Sequence, residues 1–282
     1  MASASEEELL AIVAIARRAA AVILEVYATA FVVDMKGPND PVTRADREAN
    51  ELICRELEAR FPGHAIVAEE SAPTDPKALR DLVQNERVFF VDPLDGTREF
   101  ADRNGEFVVM IGLAVAGTPS LGVVLAPTTG QALAGHASVG GFAEDASGAR
   151  RPLAVSTEAD PRAARLMISR SHRPRIVEPF KASLGITREL ACGSVGLKVA
   201  RLALGEAELY AHAGLGAQRW DTCAPEAILV AAGGRFTDLA GAPIDYRDPD
   251  LVLRGGILAS NGVLHDAAVR AAGSLQGVPA RS

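Results

Sequence analysis

At 282 residues the chain can hold one large core or two closely packed halves, and its 48% hydrophobic and 23% charged content is that of a soluble globular protein. A net charge of −7 without any long Lys/Arg run excludes binding to a nucleic-acid polymer through its phosphate backbone. Cys54, Cys192 and Cys223 have neither zinc spacing nor a disulfide framework, so they point to a reducing compartment, the cytoplasm, with core filling as their role.

Residues 6–28 read as an amphipathic helix. Glu6, Glu7 and Glu8 stand where a signal peptide would be basic, and Arg17, Arg18 and Glu25 interrupt the apolar run, so neither a leader nor a membrane span is expected. Thr43 to Arg60 predicts a helix with Ala49, Ile53 and Leu57 on one face. A short strand is expected at 65–68, ending in Glu69-Glu70-Ser71, and then a polar, Pro-containing connection over 72–87. Strands at 88–91, 107–115, 121–126 and 131–136 follow with short Gly/Pro/Thr connectors, which favours antiparallel pairing. Gly140 to Ala149 reads as a seam between an N-terminal half, 1–150, and a C-terminal half, 151–282. The second half offers a strand at 164–169, a helix at 174–184, a strand at 186–192 and a helix at 194–204 capped by Ser194. A strand at 207–212 precedes a helix at 222–232, with Pro225 in its first turn and Gly233-Gly234 as its stop. A strand at 257–260 and a helix at 263–271 complete a layered α–β pattern, and the tail beyond is expected to fray.

Asp92-Pro93-Leu94-Asp95-Gly96-Thr97 carries the most chemistry. Pro93 fixes its own φ and pushes Asp92 toward an extended conformation, while Gly96 lets the chain pass close to a ligand. Oxygen ligands crowded on a stiff loop suit a hard cation such as Mg²⁺, although the same residues also suit a solvated acidic turn. Glu69-Glu70, Asp46 at a helix start, and Asp221 after Trp220 are further acids that could join the loop. Each also has an ordinary reading as a helix cap or a charged strand end. Leu94-Asp95-Gly96-Thr97 has part of the D-x-D-G-T pattern of phosphatases with an aspartate nucleophile, but that pattern needs a carboxylate where this chain has Pro93, which disfavours the covalent route.

With these motifs in order, the chain resembles the inositol monophosphatase superfamily of Mg²⁺-dependent, Li⁺-sensitive phosphomonoesterases. The resemblance runs from about residue 10 to 262 and rests on Asp40-Pro41-Val42-Thr43 with Asp46, Glu69-Glu70-Ser71, Asp92 through Thr97, and Trp220-Asp221 with Gly233-Gly234. It implies a layered α-β-α-β-α sandwich with mixed, mostly antiparallel sheets. Within the superfamily the chain is most similar to the CysQ-type 3′(2′),5′-bisphosphate nucleotidases, through Arg98-Glu99-Phe100, Arg103 to Phe107, Ser169-Arg170-Ser171-His172 and Trp220 to Glu226. Inositol-cleaving relatives usually place an acid where this chain has Gly214.

The resemblance implies that Glu69, Asp92, Asp95 and Asp221, with the Leu94 carbonyl, hold two or three Mg²⁺ ions. Asp46 and Thr97 would orient the attacking water and accept its proton, and the Gly96 and Thr97 N–H groups would hold phosphate oxygens. Ser169, His172, Ser194 and Lys198 would contact the nucleotide, with Lys198 one turn after Ser194 and facing the 5′-phosphate. Thr43, Arg98 and Arg170 are weaker candidates. The expected activity is release of the 3′-phosphate from 3′-phosphoadenosine 5′-phosphate, with the activated sulfate analogue as a second substrate, in a monomer or homodimer. An inositol or sugar monophosphatase, and a catalytically silent metal- or nucleotide-binding module, are the alternatives.

Overall fold

The computed structural model describes residues 6–37, 40–171, 175–214 and 216–274. Helix α1 (Glu6–Tyr27) buries Leu9, Ile12, Val13, Ala16, Ile23 and Val26 on a single stripe, as three- and four-residue spacing dictates. A hairpin of β1 (Val33–Gly37) and β2 (Asp40–Thr43) leads to α2 (Arg44–Arg60). That helix starts where Thr43 accepts from the Ala45 N–H while Asp46 accepts from the Thr43 N–H, a reciprocal cap.

Seven strands then lie side by side in chain order: β3 (Ala65–Ala68), β4 (Arg87–Asp95), β5 (Val108–Val115), β6 (Thr118–Ala126), β7 (Gln131–His136), β8 (Gly140–Glu144) and β9 (Arg150–Pro152). Only β3 and β4 run parallel, because a crossover separates them; the rest are neighbours joined by short turns and pair antiparallel. Two expectations change here. Residues 72–87 are not a bare connection but contain α3 (Pro76–Val83), which Asp75 caps by accepting from the Ala78 N–H at 3.0 Å. Of the stretch 140–149, read as a seam, residues 140–144 are strand and 145–149 the turn after it: Phe142, Ala143 and Glu144 pair with 150–152, and the chain leaves this sheet at Pro152.

The second sheet has the order β11 (Arg188–Cys192), β10 (Arg165–Ser169), β12 (Leu209–His212), β14 (Ile257–Ser260) and β13 (Arg235–Thr237), parallel at the β11–β10–β12 end and antiparallel at the other. Helices α5 (Val177–Leu184) and α8 (His265–Gly273) cover its outer face, and α6 (Val195–Ala203) and α7 (Cys223–Ala231) fill the space between the sheets. A short α4 (Thr97–Ala101) follows β4.

Strand alternation sorts these residues into three cores. Val109, Ile111 and Leu113 pack under α1 and α2, whereas Val108 and Met110 face α6 and α7. Tyr210 joins that middle core, and its neighbours Leu209 and Ala211 pack with α5 and α8. The result is the α-β-α-β-α sandwich that the family resemblance implies. Among the described residues no helix is long and apolar enough to cross a membrane.

One packing feature fixes the depth of α7. Gly112, Gly122 and Gly135 are cross-strand partners on β5, β6 and β7, so they form a side-chain-free row across one face of the sheet. The start of α7 lies in this row. A methyl group at Gly112 would come within 2.5 Å of the Ala224 nitrogen, and one at Gly135 within 2.8 Å of the Ile228 Cα. Helix and sheet therefore meet backbone to backbone, which delivers Asp221, just before the helix, to the end of β4.

Candidate metal centre and active site

Asp92 and Asp95 terminate β4, and the ladder with β5 breaks between them because Pro93 has no N–H to donate. Asp92 accepts from the Leu94 N–H at 2.9 Å and is only 2% exposed. Asp95 is held from the opposite side of the chain by the Ser194 hydroxyl at 2.6 Å and the Gly196 N–H at 2.8 Å. Gly96 takes φ +100°, and a Cβ there would stand 2.9 Å from the Glu106 carbonyl oxygen, so glycine is required twice over. Glu69 follows β3 and is tied to β4 by its N–H to the Val91 carbonyl at 3.0 Å. Asp221 ends a 3₁₀ turn at Arg219–Asp221 and accepts from the Gln218 N–H at 2.8 Å.

These acids form one electrostatic unit. Burial pushes the Asp92 carboxyl well above its usual range, and the charges of Glu69, Asp95 and Asp221 push it further. Burial does the same to Asp221, reinforced by Asp95 and Glu69 and opposed by hydrogen bonds from Gln218 and Asp92. Glu69 is raised to about 7, chiefly by burial, against the attraction of Lys36. Lys36, on the β1–β2 hairpin, reaches both Glu69 and Glu70 at 2.7 Å. Burial lowers its pKa, but the two glutamates outweigh that and raise it.

Among the described residues, no three His, Cys, Asp or Glu side chains are already set around a point as a coordination group. Asp92 and Asp221 act on each other electrostatically and Lys36 engages Glu69, so an ammonium already offsets part of the acid charge. The donor set itself, all oxygen and strongly anionic, fits a hard divalent ion such as Mg²⁺, which would relieve the same repulsion.

A stability consequence follows directly. A carboxylate whose folded pKa is raised stays protonated in the folded protein after the unfolded chain has lost its proton, so folding loses stability as pH rises between the two values. Metal-free protein should therefore melt at progressively lower temperature from about pH 4.5 to about 7, the ordinary and folded values for Glu69. Millimolar Mg²⁺ should restore the loss at pH 7. Scanning calorimetry across that range checks this, and a pH-independent melting temperature would contradict it.

Asp46 stands beside the cage. It is 1% exposed; Oδ2 accepts from the Thr43 N–H at 2.8 Å and the Thr43 hydroxyl at 2.6 Å, while Oδ1 accepts from Thr97 Oγ1 at 2.9 Å. Its two readings, helix cap and partner of Thr97, are thus both realised, one on each oxygen. Burial raises its pKa, against the bonds from Thr43 and Thr97.

The residues expected at the nucleotide divide. Ser169 ends β10 beside Cys192, the last residue of β11, from which the chain enters Gly193-Ser194. Arg170 pairs with Glu106 at 2.6 Å, and Glu106 accepts from the Gly193 N–H at 2.7 Å, which binds this corner to the loop after α4. His172 lies outside the described residues. Ser194 points to Asp95, and its hydroxyl also accepts from the Leu197 N–H at 3.0 Å. Lys198 differs from expectation: it is 3% exposed, donates to the Ser194 carbonyl at 2.7 Å and lies over the Tyr210 ring. Burial lowers its pKa. One helical turn after Ser194 does place it on the same face, but that face turns inward, so the ammonium props the Gly193-Ser194 turn.

The sequence reading missed Lys36 and the Ser194–Asp95 bond. The first had a weak signal, a lone lysine before Asp40. The second joins residues that only the fold brings together.

The chain matches the inositol monophosphatase family over residues 5–276 and belongs to that family. It is 36% identical over 248 residues to the 3′(2′),5′-bisphosphate nucleotidase CysQ of Escherichia coli O157:H7, an alignment covering 87% of this chain and 96% of that one. Among solved structures it superposes on CysQ from Bacteroides thetaiotaomicron with a TM-score of 0.74 at 27% identity, covering 91% and 98% of the two chains. The extragenic suppressor protein SuhB from Bartonella henselae gives a TM-score of 0.78 at 25% identity over 95% and 98%.

Proposed function

We propose that this protein is a Mg²⁺-dependent 3′(2′),5′-bisphosphate nucleotidase that hydrolyses 3′-phosphoadenosine 5′-phosphate to AMP and phosphate, with the activated sulfate analogue as a second substrate. The observation that carries the reaction class is the Thr97–Asp46 hydrogen bond of 2.9 Å at the rim of the acid cage. What supports the substrate class is the CysQ relatives, together with an exposed glycine, Gly214, where inositol-cleaving relatives carry an acid.

Glu69, Asp92, Asp95, Asp221 and the Leu94 carbonyl would hold two or three divalent ions. Bound there, such ions lower the pKa of a water and stabilise the leaving oxygen. The chain's own part is proton handling and alignment. Thr97 donates to Asp46, which leaves its oxygen lone pairs facing outward to accept from a water. As that water's oxygen bonds to phosphorus, its proton passes to Thr97 Oγ1 while Thr97 passes its own to Asp46. The P–O3′ bond breaks with its electron pair on O3′, which takes a proton from a solvent water to become the ribose hydroxyl. Gly96 and Thr97 N–H groups would steady the phosphate oxygens, and Ser169, His172 and Ser194 would border the nucleoside.

Thr97→Val keeps the shape but loses the relay, so kcat should fall about 100- to 1000-fold with KM little changed. Steady-state kinetics test this, and an unaltered kcat would remove Thr97 from the chemistry. For the substrate, phosphate release from 3′-phosphoadenosine 5′-phosphate should exceed that from inositol 1-phosphate in kcat/KM, require Mg²⁺ and be inhibited by Li⁺. A preference for the inositol ester would overturn the assignment.

A further inference from the structure

Buried polar groups that take no part in this mechanism gather directly behind Asp221. Thr222, Glu226 and Tyr246 all lie within the middle core, where Tyr246 meets the Phe90 ring edge-on. The Tyr246 hydroxyl is 2.9 Å from Thr222 Oγ1 and 2.8 Å from Glu226 Oε2, and Thr222 donates to the Arg219 carbonyl at 3.2 Å. Arg219 in turn donates to the carbonyls of Asp245 and Asp250 and pairs with Asp248 at 2.9 Å. The loop 245–250 is therefore hung on both flanks of Trp220-Asp221, by Arg219 before the pair and by Thr222 after it.

Proton counting gives this arrangement a direction. Tyr246 has one proton and two oxygen neighbours, and no Lys, Arg or His ion-pairs with Glu226 among the described residues. Burial pushes the Glu226 carboxyl up to about 8, against the hydrogen bond with Tyr246. In its acid form Glu226 donates to Tyr246, Tyr246 to Thr222 and Thr222 to the Arg219 carbonyl. Every donor in the run is used.

We propose that Glu226 and Tyr246 are positioning residues for Asp221, clamping the turn 219–222 so that its carboxylate is held at the metal centre. The inference rests on the proposed role of Asp221 in that centre. Outer residues that orient a metal ligand typically carry about 10- to 100-fold in metal affinity.

The test is calorimetric titration of Mn²⁺ into the full chain, read beside the melting temperature without metal. Tyr246→Phe should weaken binding by at least about tenfold. Glu226→Leu should do the same. Glu226→Gln, whose amide N–H can donate to Tyr246 as the acid does, should stay within about twofold of the unsubstituted chain. Thr222→Val interrupts the run at its other end and serves if Tyr246→Phe does not fold. Folded Tyr246→Phe or Thr222→Val protein that binds Mn²⁺ as tightly as the parent would overturn the inference alone. Equal weakening by Glu226→Gln and Glu226→Leu would also overturn it. A parent chain that binds no Mn²⁺ would overturn the centre and the inference together.

Discussion

Asp92→Asn should abolish phosphate release, by about a thousandfold in kcat/KM, while raising the melting temperature of the metal-free protein. The two effects have one cause. Asp92 is buried among the charges of Glu69, Asp95 and Asp221, each of which opposes its ionisation. An asparagine keeps the acceptor for the Leu94 N–H, so the turn survives, and it needs neither an ionised carboxylate nor a captured proton among the neighbouring acids. Without that carboxylate a divalent ion loses a ligand and much of its electrostatic attraction. Added Mg²⁺ should then stabilise the variant far less than the parent. Thermal melts with and without Mg²⁺, run beside a phosphate-release assay, check both halves. A variant that melts lower than the parent without metal, or that retains a tenth of the activity, would contradict the description of the cage.

Gly122→Ala should be a strongly disruptive single-methyl change, with the shortest contact of any glycine among the described residues. The added carbon would strike the Ala224 carbonyl oxygen and lie 2.9 Å from the Ala224 C and Cα atoms. All three are helix backbone, so no side chain can rotate away, and α7 must lift from the sheet. Overpacking of this kind costs about 2–3 kcal/mol, or roughly 3–5 °C in melting temperature for a chain of this length. Lifting α7 also carries Asp221 away from Asp92, so metal affinity should fall with stability. Gly273→Ala is the matched control, because nothing lies within 4 Å of its added carbon. Urea denaturation and Mn²⁺ titration measure the two effects. Wild-type stability in Gly122→Ala would show that the glycine row does not set the depth of the helix.

What the amino-acid order reveals depends on how local the cause is. The Asp92–Thr97 loop was readable because proline, glycine and two acids act over six residues and need no partner to define their shape. Asp46 as a cap was readable for the same reason, since Thr43 and Asp46 are three residues apart. The amphipathic stripe of α1 and the apolar strands β4 to β7 follow from periodicity alone. Helix α3 was hidden by its own polar composition, although Asp75-Pro76 carried a cap signal. Strands β8 and β9 were hidden by glycine and arginine, residues that do not mark a strand until a neighbour pairs with them.

The longer-range features were not readable from position alone. Gly112, Gly122 and Gly135 look like scattered strand breakers until register aligns them across the sheet. Asp95 and Ser194 are 99 residues apart, and only the packing of α6 against the first sheet brings the hydroxyl to the carboxylate. Helical spacing put Lys198 on the face of Ser194, but spacing carries no information on which way that face turns. Burial against Tyr210 decided it.

Anomalous diffraction from a Mn²⁺-soaked crystal tests the assembled centre most directly. The expected result is two or three manganese peaks bounded by Glu69, Asp92, Asp95, Asp221 and the Leu94 carbonyl, with Lys36 withdrawn from Glu69. Peaks confined to other parts of the surface, with Lys36 still seated on Glu69 and Glu70, would contradict it.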